Sequence, residues 1–78
     1  MSKSKLPTEL GKLGDNVRRI RTSLGMTQER LAELAEINAR NVRRIEAGEI
    51  NILITTVARI RRALNCTWDE LIPRDWKR

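Results

Sequence analysis

Residues Met26 to Gly48 constrain this chain more than any other stretch, reading Met-Thr-Gln-Glu-Arg-Leu-Ala-Glu-Leu-Ala-Glu-Ile-Asn-Ala-Arg-Asn-Val-Arg-Arg-Ile-Glu-Ala-Gly. Leu31, Leu34 and Ala35, then Val42 and Ile45, recur at helical spacing and give each of two short helices one apolar face. Ala32 adds a small surface on which another helix can cross closely. Thr27 and Asn38 stand where N-caps belong, with side-chain oxygens that can accept from free backbone N–H groups. Only Glu36 and Ile37 separate the helices, so the corner between them is tight and fixed. The second helix carries Arg40, Arg43 and Arg44 with no acid among them. That is a narrow cationic rod of the size that enters a DNA groove.

The flanking segments extend the helical pattern. Residues 1–9 read as an N-terminal arm, polar and basic up to Pro7, with the first helix starting at Thr8 or soon after. Leu10, Leu13, Val17, Ile20 and Leu24 then form one apolar stripe, weakened in its first turns by Gly11 and Gly14 and terminated at Gly25. After a loop over Glu49 to Leu53, a fourth helix is predicted from Ile54 to Leu64, with Val57, Ile60 and Leu64 inward. Asn65 suits a left-handed exit, and Thr67 with Glu70 makes a capping box for a short fifth helix through Leu71. Pro73 stops it, and residues 73–78 form a charged tail that includes Trp76. No sustained alternation marks a strand. The expected architecture is all-α, a compact five-helix bundle over residues 10–72.

Composition narrows the chemistry. In 78 residues, 16 basic side chains against 10 acidic ones give a net charge of +6, the footprint of a nucleic-acid partner. Two Trp, no Phe and no Tyr leave few platforms for stacking unpaired bases, which favours double-stranded DNA. There is no His, no base beside the single Cys66, no glycine-rich phosphate loop and no metal-ligand cluster. Asp69 and Glu70 are adjacent but belong to the first turn of a helix. The expectation is therefore no enzyme, no cofactor, no metal and no small-molecule ligand. With no apolar run long enough to span a membrane and no signal-peptide stretch, a cytoplasmic protein is expected. The single cysteine fits a reducing compartment.

Over residues 13–72 the pattern resembles the phage-repressor, Cro-like helix-turn-helix family. The resemblance is carried by Leu13-Gly14, Val17, Ile20-Arg21, Gly25-Met26-Thr27-Gln28, Leu31-Ala32, Ala35, Val42, Ile45-Glu46, Gly48 and Ala63-Leu64. It implies a lambda-repressor-like DNA-binding domain acting as a homodimer on a roughly palindromic operator, each third helix in the major groove. The family positions that reach base edges fall on Asn38, Ala39, Arg40, Arg43 and Arg44. An arginine fork on guanine O6 and N7 is worth roughly 1–3 kcal/mol of discrimination. Phosphate contacts would fall on Thr27, Gln28, Asn41 and the backbone around Asn51. Arg21 and Glu46 match a pair that bridges the first and third helices, a structural role. Arg18, Arg19, Lys12, Arg59 and Arg62 read as solvent face. The short length resembles controller proteins of restriction–modification systems, which regulate their own operon. The alternatives are an antitoxin-type regulator and an interaction module that has lost DNA binding.

Three positions depart from the family pattern. Glu36 stands where the turn often has Gly; if φ is positive there, the strain is roughly 1 kcal/mol. Leu53 replaces a polar N-cap, which suggests a packed helix start. Arg61 replaces a customary Ala and must snorkel, pair with an acid or lie at a subunit interface. Cys66 falls at an apolar position and reads as a packed thiol. Ile50, Ile52, Leu53 and Ile54 exceed what so small a core can bury. Part of this cluster, with Trp68 or Leu71, is the expected dimer contact.

Overall fold

A computed structural model describes residues 8–73 of the chain, so the expectations for residues 1–7 and for the tail with Trp76 lie outside the described residues. Five helices follow in order: α1 (Thr8–Ser23), α2 (Gln28–Ala35), α3 (Ala39–Glu46), α4 (Ile54–Leu64) and α5 (Trp68–Leu71). No strand occurs among the described residues. No helix among them is long and apolar enough to cross a membrane.

Helix α1 begins at Thr8, two residues inside the span read as an arm. Leu10, Leu13 and Val17 are buried along its inner face, but Leu24 is 54% exposed. The predicted stripe fails there because the helix ends at Ser23, and Leu24 enters a turn completed by Gly25 at φ +69°. In α2, Leu31, Ala32 and Ala35 are buried and Leu34 is 42% exposed, against expectation. At about 100° per residue the three buried positions fill one sector, and Leu34 lies on its outer flank. Both α3 and α4 pack on α2, and together they cover Ala32 rather than Leu34.

Backbone and caps build the corner between α2 and α3. Thr27 Oγ1 accepts from Arg30 N at 2.9 Å, and Asn38 Oδ1 accepts from Arg40 N at 2.8 Å. Glu36 adopts the left-handed conformation (φ 60°, ψ 44°), and its N–H donates to Ala32 O and Glu33 O. Ile37 N also donates to Ala32 O, at 2.9 Å, which closes α2. Arg59 Nη1 on α4 donates to Glu36 O at 3.4 Å and ties the corner to the bundle.

Helix α1 crosses the end of α3 at very close range. A Cβ on Gly14 would lie 2.3 Å from Ile45 O and 2.7 Å from Glu46 O. Gly14 is therefore what permits this crossing, rather than a weakness in α1. Gly48, at φ +71°, would bring a Cβ to 2.8 Å from Gly11 Cα, so this turn also packs backbone on backbone.

At the start of α4, Leu53 makes no side-chain cap and is 73% exposed, so the expectation of a packed helix start is wrong. Its carbonyl accepts from Thr56 N and Val57 N, and this backbone closure leaves the side chain pointing outward. Asn65 makes the left-handed exit at φ 54°. Thr67 and Glu70 form the capping box of α5. Asn16 Nδ2 donates to Leu71 O at 2.8 Å and pins α5 to α1, a bond across 55 residues that no local pattern announces. The core is formed by Leu13, Val17, Leu31, Val42, Ile60, Leu64 and Leu71, each almost fully buried.

Candidate nucleic-acid interface

Burial of one side of α3 dictates what its other side presents. Val42 and Ile45 are anchored in the core, which leaves Arg40, Asn41, Arg43 and Arg44 exposed. Ala39 is half-buried and packs partly against the core. Asn38 is exposed, but its side-chain oxygen is occupied by the cap. The residues expected at base edges thus sit together at the start and along the outer side of one short helix. A rigid helix held from behind loses little freedom when its side chains engage a partner.

The orientation of α3 is held by a buried polar knot. Arg21 Nε donates to Glu46 Oε2 at 2.6 Å and Arg21 Nη2 to Glu46 Oε1 at 3.0 Å. Arg21 Nη1 donates to Met26 O at 2.7 Å, and Gln28 Nε2 to Glu46 Oε1 at 2.9 Å. The Arg21 and Glu46 side chains are only 10% and 4% exposed. Taking both charges out of water is expensive, and fork geometry, with a carbonyl acceptor for Arg21 Nη1, is what makes it tolerable. The knot joins the end of α1, the turn after it, the start of α2 and the end of α3. Gln28, expected on phosphate, thus commits one of its two amide N–H groups inside the protein and keeps the other.

Arg18, Arg21, Thr27, Gln28, Arg43 and Glu46 line an open cleft beside this knot. The N-terminal end of α2 opens onto it, adding the positive end of a helix dipole. Arg18, expected on the solvent face, belongs to this cleft, and no local pattern distinguishes it from Arg19. Asn41 is exposed on α3, and Asn51 is exposed in the loop before α4; neither lines the cleft. No local pattern marks Glu29 either. Its Oε2 stands 3.6 Å from Arg43 Nη1, across 14 positions of sequence.

Exposed apolar side chains stand at the starts of α4 and α5. Leu53, Ile54 and Trp68 are exposed, at 73%, 65% and 40%, while Ile50 and Ile52 are half-buried. Leu71, expected at the dimer contact with Ile52, Leu53 and Trp68, is fully buried in its own core and has no surface to offer. Arg61 Nη1 donates to Cys66 O at 3.1 Å, and its guanidinium carbon lies 5.3 Å from the centroid of the Trp68 ring. A carbonyl and an aromatic face thus take the place of an acid partner, although Arg61 Nε is buried with no hydrogen-bond acceptor among the described residues. Burial pushes the Cys66 thiol above its ordinary pKa; Glu70 adds to the rise and Arg61 opposes it. No group of His, Cys, Asp and Glu among the described residues is placed to hold a metal ion.

Residues 17–71 match the helix-turn-helix family, most of the chain. The chain belongs to that family. Among solved structures, the helix-turn-helix fold is shared with the restriction-modification controller protein C.AhdI from Aeromonas hydrophila. The two are 30% identical, with a TM-score of 0.81 over 85% of this chain and 100% of that one. The wild-type controller protein C.Esp1396I is 27% identical with a TM-score of 0.77, over 81% of this chain and 82% of that one. The same controller has been solved as a tetramer in complex with its natural 35 base-pair operator (27% identity, TM-score 0.76, 81% and 83% covered). A search of the curated proteins finds no match.

Proposed function

We propose that this chain is a sequence-specific, double-stranded DNA-binding transcriptional regulator that acts as a homodimer on a roughly palindromic operator. The observation that carries this reading is the outer side of α3, where Arg40, Arg43 and Arg44 stand exposed on a helix whose opposite side is locked into the core. A helix of this width enters the major groove of B-DNA, and three guanidinium groups supply both base-edge and phosphate donors. Similarity to a controller protein whose structure holds its operator supports the same use of the fold here. The family and fold are those of DNA-binding regulators rather than enzymes. A cytoplasmic location follows from that role.

Arg40, Arg43 and Arg44 are assigned to base edges, with Asn38 and Ala39 at the start of the helix. Thr27, Gln28, Asn41 and Asn51 are assigned to the phosphates, and Arg18 joins them through the cleft. Ile52, Leu53 and Trp68 are assigned to the contact between copies, and Ile54 joins them by its exposure. Autoregulation in the manner of a restriction–modification controller is the biological role we assign.

Selection of bound duplexes from a random DNA pool tests this reading directly, since it returns both the site and its half-site spacing. Arg44→Ala is expected to relax preference at one base pair by a factor equivalent to about 1–3 kcal/mol, whereas Gln28→Ala weakens all sequences alike. Absence of any DNA binding at low salt overturns the proposal.

A further inference from the structure

We propose that Glu29 is a specificity-determining residue, the resting counter-ion that keeps Arg43 from engaging phosphates and reserves it for a base pair. This inference rests on the DNA-binding reading above. Among the described residues, Arg43 is the only α3 arginine paired with a carboxylate, at 3.6 Å from Glu29. Both side chains are more than half exposed, 53% for Arg43 and 72% for Glu29, and exposed pairs of this kind contribute little to stability. The pair therefore matters for what approaches it. It stands at the cleft lined by Arg18, Thr27 and Gln28, where a phosphate would otherwise find Arg43 unopposed.

Two exchanges are open to Arg43 when DNA arrives. Moving to a phosphate swaps one anion for another and leaves the Glu29 carboxylate bare beside a second negative charge, so little is gained. A guanine edge is different, because O6 and N7 are uncharged acceptors that one side of the guanidinium fork can bond together. The guanidinium charge meanwhile stays within ion-pair range of the Glu29 carboxylate. The Arg43 charge thus contributes fully to a matched site and weakly to an unmatched one. Arg40 and Arg44 have no such carboxylate among the described residues and engage either kind of DNA.

The test is binding of a selected cognate duplex and of a random-sequence duplex across a salt series, using the full chain with Glu29→Gln, Arg43→Ala and both together. Glu29→Gln is expected to tighten random-sequence binding and to steepen its salt slope by about 0.9, one additional phosphate contact. That advantage grows about three- to fourfold as salt falls from 200 to 50 mM. Cognate binding changes less, so the ratio of the two affinities falls. In the Arg43→Ala background the same substitution loses most of its effect. An unchanged ratio, or an equal effect of Glu29→Gln with and without Arg43, overturns this inference while leaving the DNA-binding reading intact. Failure of the unaltered chain to bind either duplex overturns both. Thermal unfolding of each variant confirms that only folded protein is compared.

Discussion

Glu46 accepts from two nitrogens of Arg21 and from Gln28 while remaining almost wholly out of water. Removing it leaves the Arg21 guanidinium buried with one carbonyl partner, so Glu46→Ala is expected to cost about 3–5 kcal/mol of stability. Urea unfolding measures this, and a loss below about 1 kcal/mol would show that water reaches the site easily. The opposite sign is expected at Glu36. Its φ of 60° strains a side chain, and its N–H bonds survive replacement. Glu36→Gly removes roughly 1–2 kcal/mol of left-handed strain, partly offset by the greater freedom of glycine in the unfolded chain. The net gain is about 0.5–1 kcal/mol, visible as a higher denaturant midpoint; a lower midpoint contradicts the account. Residue identities such as the Thr27 and Asn38 caps were legible in the sequence because a cap acts on its own neighbours. The commitment of Gln28 to Glu46 was not legible, because it joins two helices whose relative placement no local pattern encodes.

At the scale of helices, two glycines three positions apart make a direct contrast. An added Cβ at Gly14 meets backbone oxygens of α3, which cannot move aside as a flexible side chain would, whereas one at Gly11 meets nothing within 4 Å. Gly14→Ala is expected to destabilise by about 1–3 kcal/mol through overpacking, despite its better helix propensity. Gly11→Ala is expected to stabilise by up to about 1 kcal/mol, since only propensity acts there. Parallel thermal melts decide the matter, and equal effects at the two sites would mean that α1 does not cross α3 as described. By propensity alone both glycines are weak points of α1. Periodicity alone predicts the inner face of α4, whose packing is mainly against α2, with Val57, Ile60 and Leu64 buried. It fails at Leu34, where two neighbours decide which flank of α2 is covered.

The whole molecule leaves apolar surface exposed at Leu53, Ile54 and Trp68 as well as arginines along α3. In the proposed dimer a carboxylate placed at that apolar surface would be buried without a partner. Leu53→Glu is therefore expected to weaken self-association by tenfold or more, using about 1.4 kcal/mol per decade as the scale, and to lower operator affinity with it. Sedimentation equilibrium with matched DNA titrations checks both. A variant that remains as dimeric as the original moves the contact elsewhere on the surface. Leu53 is so exposed that its substitution leaves the core of the monomer untouched.

The Met26–Gly48 sequence determined a great deal by itself. Two capped helices, a two-residue corner and a row of arginines on the second helix follow from local chemistry, since caps, turns and periodicity act within a few residues of chain. The apolar stripes settled that the chain would be a helical bundle. Tertiary structure decided the rest. Long-range packing buried Leu71 instead of exposing it, let Gly14 admit α3, and set Glu29 against Arg43 across two helices. These outcomes depend on distances between elements, which are fixed only when all the helices compete for the same small core.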